Sequence, residues 1–262
     1  MKIPVALTVA GSDPSGGAGI QADLKTFHQR GVYGTAVLTL LTVQNTKSVD
    51  SVEVLSPSLV GAQIGAVLED IPPAAAKTGA LGDSAIVELV AERAKAFDFP
   101  LVVDPVMISK HGTPLMTAEA RRALASLLLP RAFLVTPNLS EAGELAGMPI
   151  DDLASMKEGA LRIASLGVAA VLVKGGHLEG DAVDLLLHRG EVTLYREHRI
   201  PTRNTHGTGC TFSACITAEL AKGRPLAEAV GTAKKYITLA IETAPGLGGG
   251  AGPVNHHARI EP

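Results

Sequence analysis

The sequence predicts an α/β fold, a mostly parallel sheet covered by helices on both faces, and three observations carry that expectation. Short β-rich runs bounded by Gly, Pro or Asp alternate with longer segments of helical period. Polar and glycine residues collect where those runs end, which is where such sheets bind ligands. Hydrophobic residues make up 46% of the 262 residues and charged residues 19%, spread without a Ser-, Pro- or Gly-rich linker, so residues 1–262 read as one domain around one core.

Residues 5–10 form the first expected strand. They are followed too closely by Gly11, Ser12 and Asp13 to be the core of a signal peptide. Further strands are expected at 35–43, 74–78, 101–106, 133–136 and 171–174. Helical stretches lie between them, such as 58–69, where Leu59, Val60, Ile64, Val67 and Leu68 fall on one face. Residues 182–200 hold two β-rich runs flanking Arg189-Gly190, which predicts a hairpin at the sheet edge. A glycine loop at 204–211, a helix from 212 to 220 and a final helix from 226 to 243 complete the chain. No internal repeat is visible.

A net charge of −3, no Lys or Arg cluster and 3% aromatic residues argue against nucleic acid as a partner. No apolar run approaches the ~18 residues that cross a bilayer. The two cysteines, Cys210 and Cys215, fall about 140° apart on one expected helix and cannot pair without breaking it. Free thiols suit a reducing compartment, and a cytoplasmic location is expected.

The most informative stretch is Asn204-Thr205-His206-Gly207-Thr208-Gly209-Cys210-Thr211. A glycine loop opening directly into a helix exposes backbone N–H groups that converge with the positive end of the helix dipole, an oxyanion cradle. Cys210 at that helix start is expected to have a lowered pKa. The plainer alternative is a strand-to-helix turn with a buried cysteine. His206 beside Cys210 also allows a nucleophilic thiol, a second class of function.

The string Gly17-Ala18-Gly19-Ile20-Gln21-Ala22 follows a strand and precedes a helix, but the next strand ends in Gln44-Asn45 without the acidic residue a dinucleotide site requires. A loop over a substrate fits better, with Asp23 on the first turn of the following helix and Gln44 offering a heterocycle one charged acceptor and one amide. For Asp23 the alternative is favourable charge at a helix start, and for Gln44 an exposed turn. No P-loop string occurs. Asn138 and Glu141 either cap a helix or position Mg²⁺ waters and phosphate oxygens, with Asp104 a second carboxylate at a neighbouring strand end. Lys174 either reaches a phosphate or is a solvated turn lysine. His256-His257 read as exposed tail residues or a lid.

Together with Leu41-Thr42-Val43-Gln44-Asn45-Thr46, Val103-Asp104-Pro105-Val106-Met107, Thr136-Pro137-Asn138, Lys174-Gly175-Gly176-His177 and Gly252-Pro253-Val254-Asn255-His256, these motifs resemble the hydroxymethylpyrimidine/phosphomethylpyrimidine kinases of the ribokinase-like superfamily. The resemblance implies a three-layer α/β/α sandwich and ATP-dependent phosphorylation of 4-amino-5-hydroxymethyl-2-methylpyrimidine and then of its monophosphate, for thiamine synthesis. It implies Gln44, Asp23 and Gly11 at the pyrimidine, and Asn138, Lys174, Thr205 and His206 toward ATP. Glu141 and Asp104 would serve Mg²⁺, and Gly207, Thr208, Gly209 and Cys210 would form the anion hole with its base. A homodimer is implied as well. Ala80 stands where the family usually has methionine, and Gly248-Gly249-Gly250-Ala251-Gly252 lacks histidines common there. Pyridoxal kinases of bacterial origin share the cysteine loop and are the alternative.

Overall fold

The structure, a computed structural model, describes residues 3–109, 112–176 and 180–260. Its strands are β1 (Val5–Ser12), β2 (Tyr33–Gln44), β3 (Val49–Val54), β4 (Ala75–Thr78), β5 (Leu101–Val103), β6 (Leu134–Val135), β7 (Ala170–Gly175), β8 (Ala182–His188) and β9 (Glu191–Glu197). The helices are α1 (Gly19–Gln29), α2 (Pro57–Asp70), α3 (Ser84–Ala94), α4 (Ala118–Ala123), α5 (Leu139–Ala146), α6 (Leu153–Ala164), α7 (Thr208–Ala221) and α8 (Leu226–Glu242). The strands make one sheet in the order β3-β2-β1-β4-β5-β6-β7-β8-β9. The six from β2 to β7 in that order run parallel, while β3, β8 and β9 join by antiparallel pairing.

Alternation along each strand divides the core into two layers. Ala6, Ala75, Val102 and Leu172 face α1, α7 and α8, where Phe27, Phe212 and Tyr236 are buried. Leu7, Ala76, Val103 and Val173 face the helices α2 to α6. The fold is therefore the three-layer ribokinase-like sandwich. Helix starts follow local chemistry: Ser56 caps α2 with Pro57 in its first turn, Asp83 caps α3, and Asn138 and Glu141 form a reciprocal capping box at α5. The expected hairpin is β8–β9, at the sheet edge, and its turn residues Arg189 and Gly190 have φ of 53° and 80°, as a two-residue turn between twisted strands requires.

Three expectations need correction. Strand β3, reading Val-Asp-Ser-Val-Glu-Val, escaped notice because it is a half-exposed edge strand with polar alternation. The strand expected at 101–106 stops at Val103, since Pro105 has no N–H for the ladder. Leu59 is 49% exposed while Val60 and Ile64 are buried; it lies about 140° around α2 from Ile64 and so leaves the packed face.

Candidate active site

Strand order reverses direction between β1 and β4, and a cavity of about 510 Å³ opens over the carboxyl ends of the strands on both sides of that switch point. Gly11, Gln44, Asp104, Asn138, Glu141, Lys174, Thr205, His206, Gly207, Thr208, Gly209 and Cys210 all line it, with Ala80 in its wall. Strand alternation explains Gln44: Leu40, Thr42 and Gln44 face the cavity, while Leu41 and Val43 are exposed on the other side of β2. A larger hollow of about 730 Å³ lies between α2 and α3, but its only charged groups are Glu69 and Arg93 and no strand end or glycine loop reaches it. The cavity at the switch point is the candidate site. His177 lies outside the described residues.

The anion loop is fixed by close backbone packing. Gly207 has φ of 78°, and a Cβ there would sit 1.7 Å from the Gly17 carbonyl oxygen, so only glycine fits. Thr208 Oγ1 donates to the Thr205 carbonyl at 2.7 Å, and Thr211 N–H makes the first helical bond, to Gly207 O at 2.8 Å. The first-turn N–H groups of Gly209 and Cys210 have no partner within α7 and open toward the cavity.

Beneath the loop lies a row of buried charges on one face of the sheet. Lys77 Nζ donates to Asp23 Oδ1 at 2.8 Å, and Thr8 Oγ1 donates to Asp23 Oδ2 at 2.6 Å. Both members of this ion pair are fully buried. Burial pushes the Asp23 carboxyl up and the Lys77 ammonium down; the short contact favours the charged pair, and Lys77 stays above its ordinary value. Asp23 is thus not on the first turn of α1 and does not line the cavity, so neither the heterocycle-binding role nor the helix-start role fits it. Lys174 Nζ donates to Asp104 Oδ1 at 3.0 Å, and Asp104 also accepts from Thr136 and Ser213. Burial alone would raise the Asp104 carboxyl, but Lys174 and Lys77 hold it below its ordinary value. Asp184 accepts from Gly175 N–H and from the buried Lys234, which anchors the end of β7 beside Lys174.

Glu141 caps the Asn138 N–H at 2.9 Å while lining the cavity, so capping and site geometry coexist in one residue. Burial drives its pKa to about 7; Lys174 opposes the rise and Asp104 adds to it. Among the described residues no group of three or more His, Cys, Asp or Glu is placed to hold a metal ion. Two cavity-facing carboxylates with mutually unfavourable charge do suit a hard cation that keeps most of its waters.

The expected low pKa of Cys210 is overturned. Its side chain is half-buried in the cavity wall, and desolvation there pushes the thiol up to about 12. The Asp23 and Asp104 charges add to the rise, and Lys77 and the Gly19 N–H do not offset it. A helix-start dipole worth about 0.3–1 kcal/mol cannot outweigh that desolvation.

Two further residues have supporting roles that the sequence does not assign to them. The Asp13 carboxylate accepts from Ser15, Gly17, Ala18 and His206, the last at 2.7 Å, and so ties the first glycine loop to the anion loop. Burial alone would raise Asp13, but His206 and Ser15 hold it below its ordinary value. His256 is a buried residue, not an exposed tail: it shares a hydrogen bond of 3.1 Å with Thr211 Oγ1, and burial takes its pKa down to about 4. The first signal was present in the polar end of β1; the second, between residues distant in sequence, had none.

A ribokinase-like sheet with an anion loop at its switch point defines a small-molecule kinase class. The phosphomethylpyrimidine kinase family matches residues 13–255, and the chain belongs to that family. It is 46% identical over 253 residues to the hydroxymethylpyrimidine/phosphomethylpyrimidine kinase of Streptomyces coelicolor, covering 97% of this chain and 94% of that one. It is 49% identical to the thiamine biosynthesis bifunctional protein ThiED of Geobacter sulfurreducens, covering 95% of this chain and 51% of that longer protein. An ADP complex of Bacillus subtilis pyridoxal kinase superimposes with a TM-score of 0.91 at 40% identity, covering 97% of this chain and 98% of that one.

Proposed function

We propose that the protein, acting as one domain, is an ATP-dependent kinase that phosphorylates 4-amino-5-hydroxymethyl-2-methylpyrimidine and then its monophosphate, for thiamine biosynthesis. The observation that carries this is the convergence of Gln44, Cys210 and the Gly207 turn on one cavity in a chain of this family. Gln44 and Gly11 hold the pyrimidine. Gly207, Thr208, Gly209 and Cys210 receive the transferring phosphoryl group on backbone N–H groups, where preorganised donors stabilise developing charge. Lys174, Asn138, Thr205 and His206 serve the ATP side.

Phosphoryl transfer has a loose transition state that asks little of a base. With a thiol near 12, Cys210 orients the hydroxymethyl group by hydrogen bonding instead of drawing off its proton in the resting state. Mg²⁺ supplies neutralisation of the phosphate oxygens when bound, and Asp104 and Glu141 would hold it through its waters. Assembly as a homodimer belongs to the same reading, supported by Leu41 and Val43, 42% and 58% exposed on β2. So does a cytoplasmic location, which suits two free thiols and a chain in which no described helix is long and apolar enough to cross a membrane.

The test is kcat/KM with Mg-ATP for the pyrimidine against pyridoxal. A higher value for the pyrimidine supports the reading. A higher value for pyridoxal moves the assignment to the pyridoxal kinases, which Ala80 in the cavity wall would accommodate.

A further inference from the structure

On the sheet face packed against α7 and α8, the pairing of β7 with β8 sets Lys174 directly opposite Asp184, two residues along from the buried pair Leu172 and Leu186. Opposite charges so placed ordinarily attract across the strands. Here each takes another partner. Asp184 Oδ1 accepts from the Gly175 N–H at 2.9 Å and Oδ2 from Lys234 Nζ of α8 at 2.8 Å, which engages both carboxylate oxygens. Lys174 Nζ turns instead to Asp104 Oδ1 at 3.0 Å. There it lies 3.3 Å from where a Cβ on Gly209 would sit, in the cavity wall beside the anion loop.

Asp184 and Lys234 are both buried, and a buried ion pair is often no more stabilising than apolar residues of the same volume. Their pairing is therefore better explained by what it keeps apart. Burial pushes the Asp184 carboxyl up; the Lys234 charge opposes that rise most, and Lys174 is close enough to contribute. With Lys234 absent, the nearest cation able to satisfy Asp184 is Lys174, already across the strand from it. We infer that Lys234 is a positioning residue: by occupying Asp184 it denies that carboxylate to Lys174, leaving the Lys174 ammonium directed at the anion loop, where it sets affinity for nucleotide phosphates. The inference deepens the kinase reading and rests on the ATP-side role of Lys174.

The experiment is calorimetric titration at pH 8 with ADP and, separately, with 4-amino-5-hydroxymethyl-2-methylpyrimidine. Lys234→Met is expected to weaken ADP about tenfold, the worth of one charged hydrogen bond, and to leave the pyrimidine affinity unchanged. Adding Asp184→Asn removes the competing charge while an amide oxygen still accepts from Gly175, and should restore ADP to within about twofold of wild type. Lys174→Met should lose as much ADP affinity as Lys234→Met, and the two together no more than either. A purely structural role for Lys234 would weaken both ligands together or neither, and either result overturns the inference, as does an ADP loss that Asp184→Asn fails to repair. Should Lys234→Met fail to fold, Lys234→Gln keeps a donor to Asp184 without the charge. ADP then weakens about threefold, and an unchanged affinity overturns the inference. Wild-type protein that binds neither ligand would sink the kinase reading and this inference together, whereas equal ADP affinity in wild type and Lys234→Met would sink only this inference.

Discussion

Alkylating Cys210 across a range of pH separates a thiol whose pKa is raised by desolvation from an activated one. An ordinary cysteine at the reference value of 9.0 would be about 3% thiolate at pH 7.5, whereas a thiol near 12 holds about a thousandfold less. The assay is iodoacetamide labelling followed by intact mass, on Cys215→Ala protein so that only Cys210 reports. Since steric shielding also slows the reaction, the diagnostic quantity is the slope. The rate is expected to rise about tenfold per pH unit from 6.5 to 9.5 without levelling. A plateau below pH 9 would refute the argument that desolvation defeats the helix dipole and Lys77, and would restore the thiolate as resting base.

Lys77→Met leaves Asp23 buried without its partner, so stability should fall by about 3–5 kcal/mol in urea unfolding. Adding Asp23→Asn should recover part of that loss; full wild-type stability in Lys77→Met would contradict the ion pair. Glu141 should give kcat/KM an acid limb near pH 7, absent in Glu141→Gln. Its folded-state pKa is raised, so the associated stability is complete below about pH 4.5 and lost as pH rises through 7. The loss is about 3 kcal/mol, read as a drop in urea midpoint between pH 4.5 and 8 that Glu141→Gln lacks. Gly207→Ala meets both a positive φ and the Gly17 carbonyl, and should lose at least about 2 kcal/mol together with activity; an active, stable variant would show that the loop adapts. Val43→Asp should shift a dimer to monomer by light scattering, and an unchanged mass would place the contact elsewhere.

The parallel strands and the anion loop were legible because each is written locally: β-rich runs end in Gly, Asp or Asn, and glycines precede an apolar helix. Asp104 and Lys174 stand at strand ends and Glu141 in the first turn of the helix that follows one, local positions that place all three in the cavity wall. What stayed hidden depends on pairings across the chain. Asp23 reads as a residue beside a glycine loop, and only the placement of β4 next to β1 brings Lys77 to it, more than fifty residues away in sequence. Desolvation of Cys210 is likewise a property of the packed layers, whereas the helix dipole that suggested the opposite can be read from local sequence. The capping box at Asn138 and Glu141 was anticipated as an alternative to a site role, yet one geometry serves both.

The most direct measurement is a phosphorus NMR time course of purified protein with Mg-ATP and 4-amino-5-hydroxymethyl-2-methylpyrimidine, with Gln44→Ala alongside. The account predicts that the monophosphate rises and then gives way to the diphosphate, and that both steps slow in the variant. ATP left unconsumed by the wild type, or a variant as fast as wild type in both steps, would contradict the claim that this cavity is where the pyrimidine is phosphorylated.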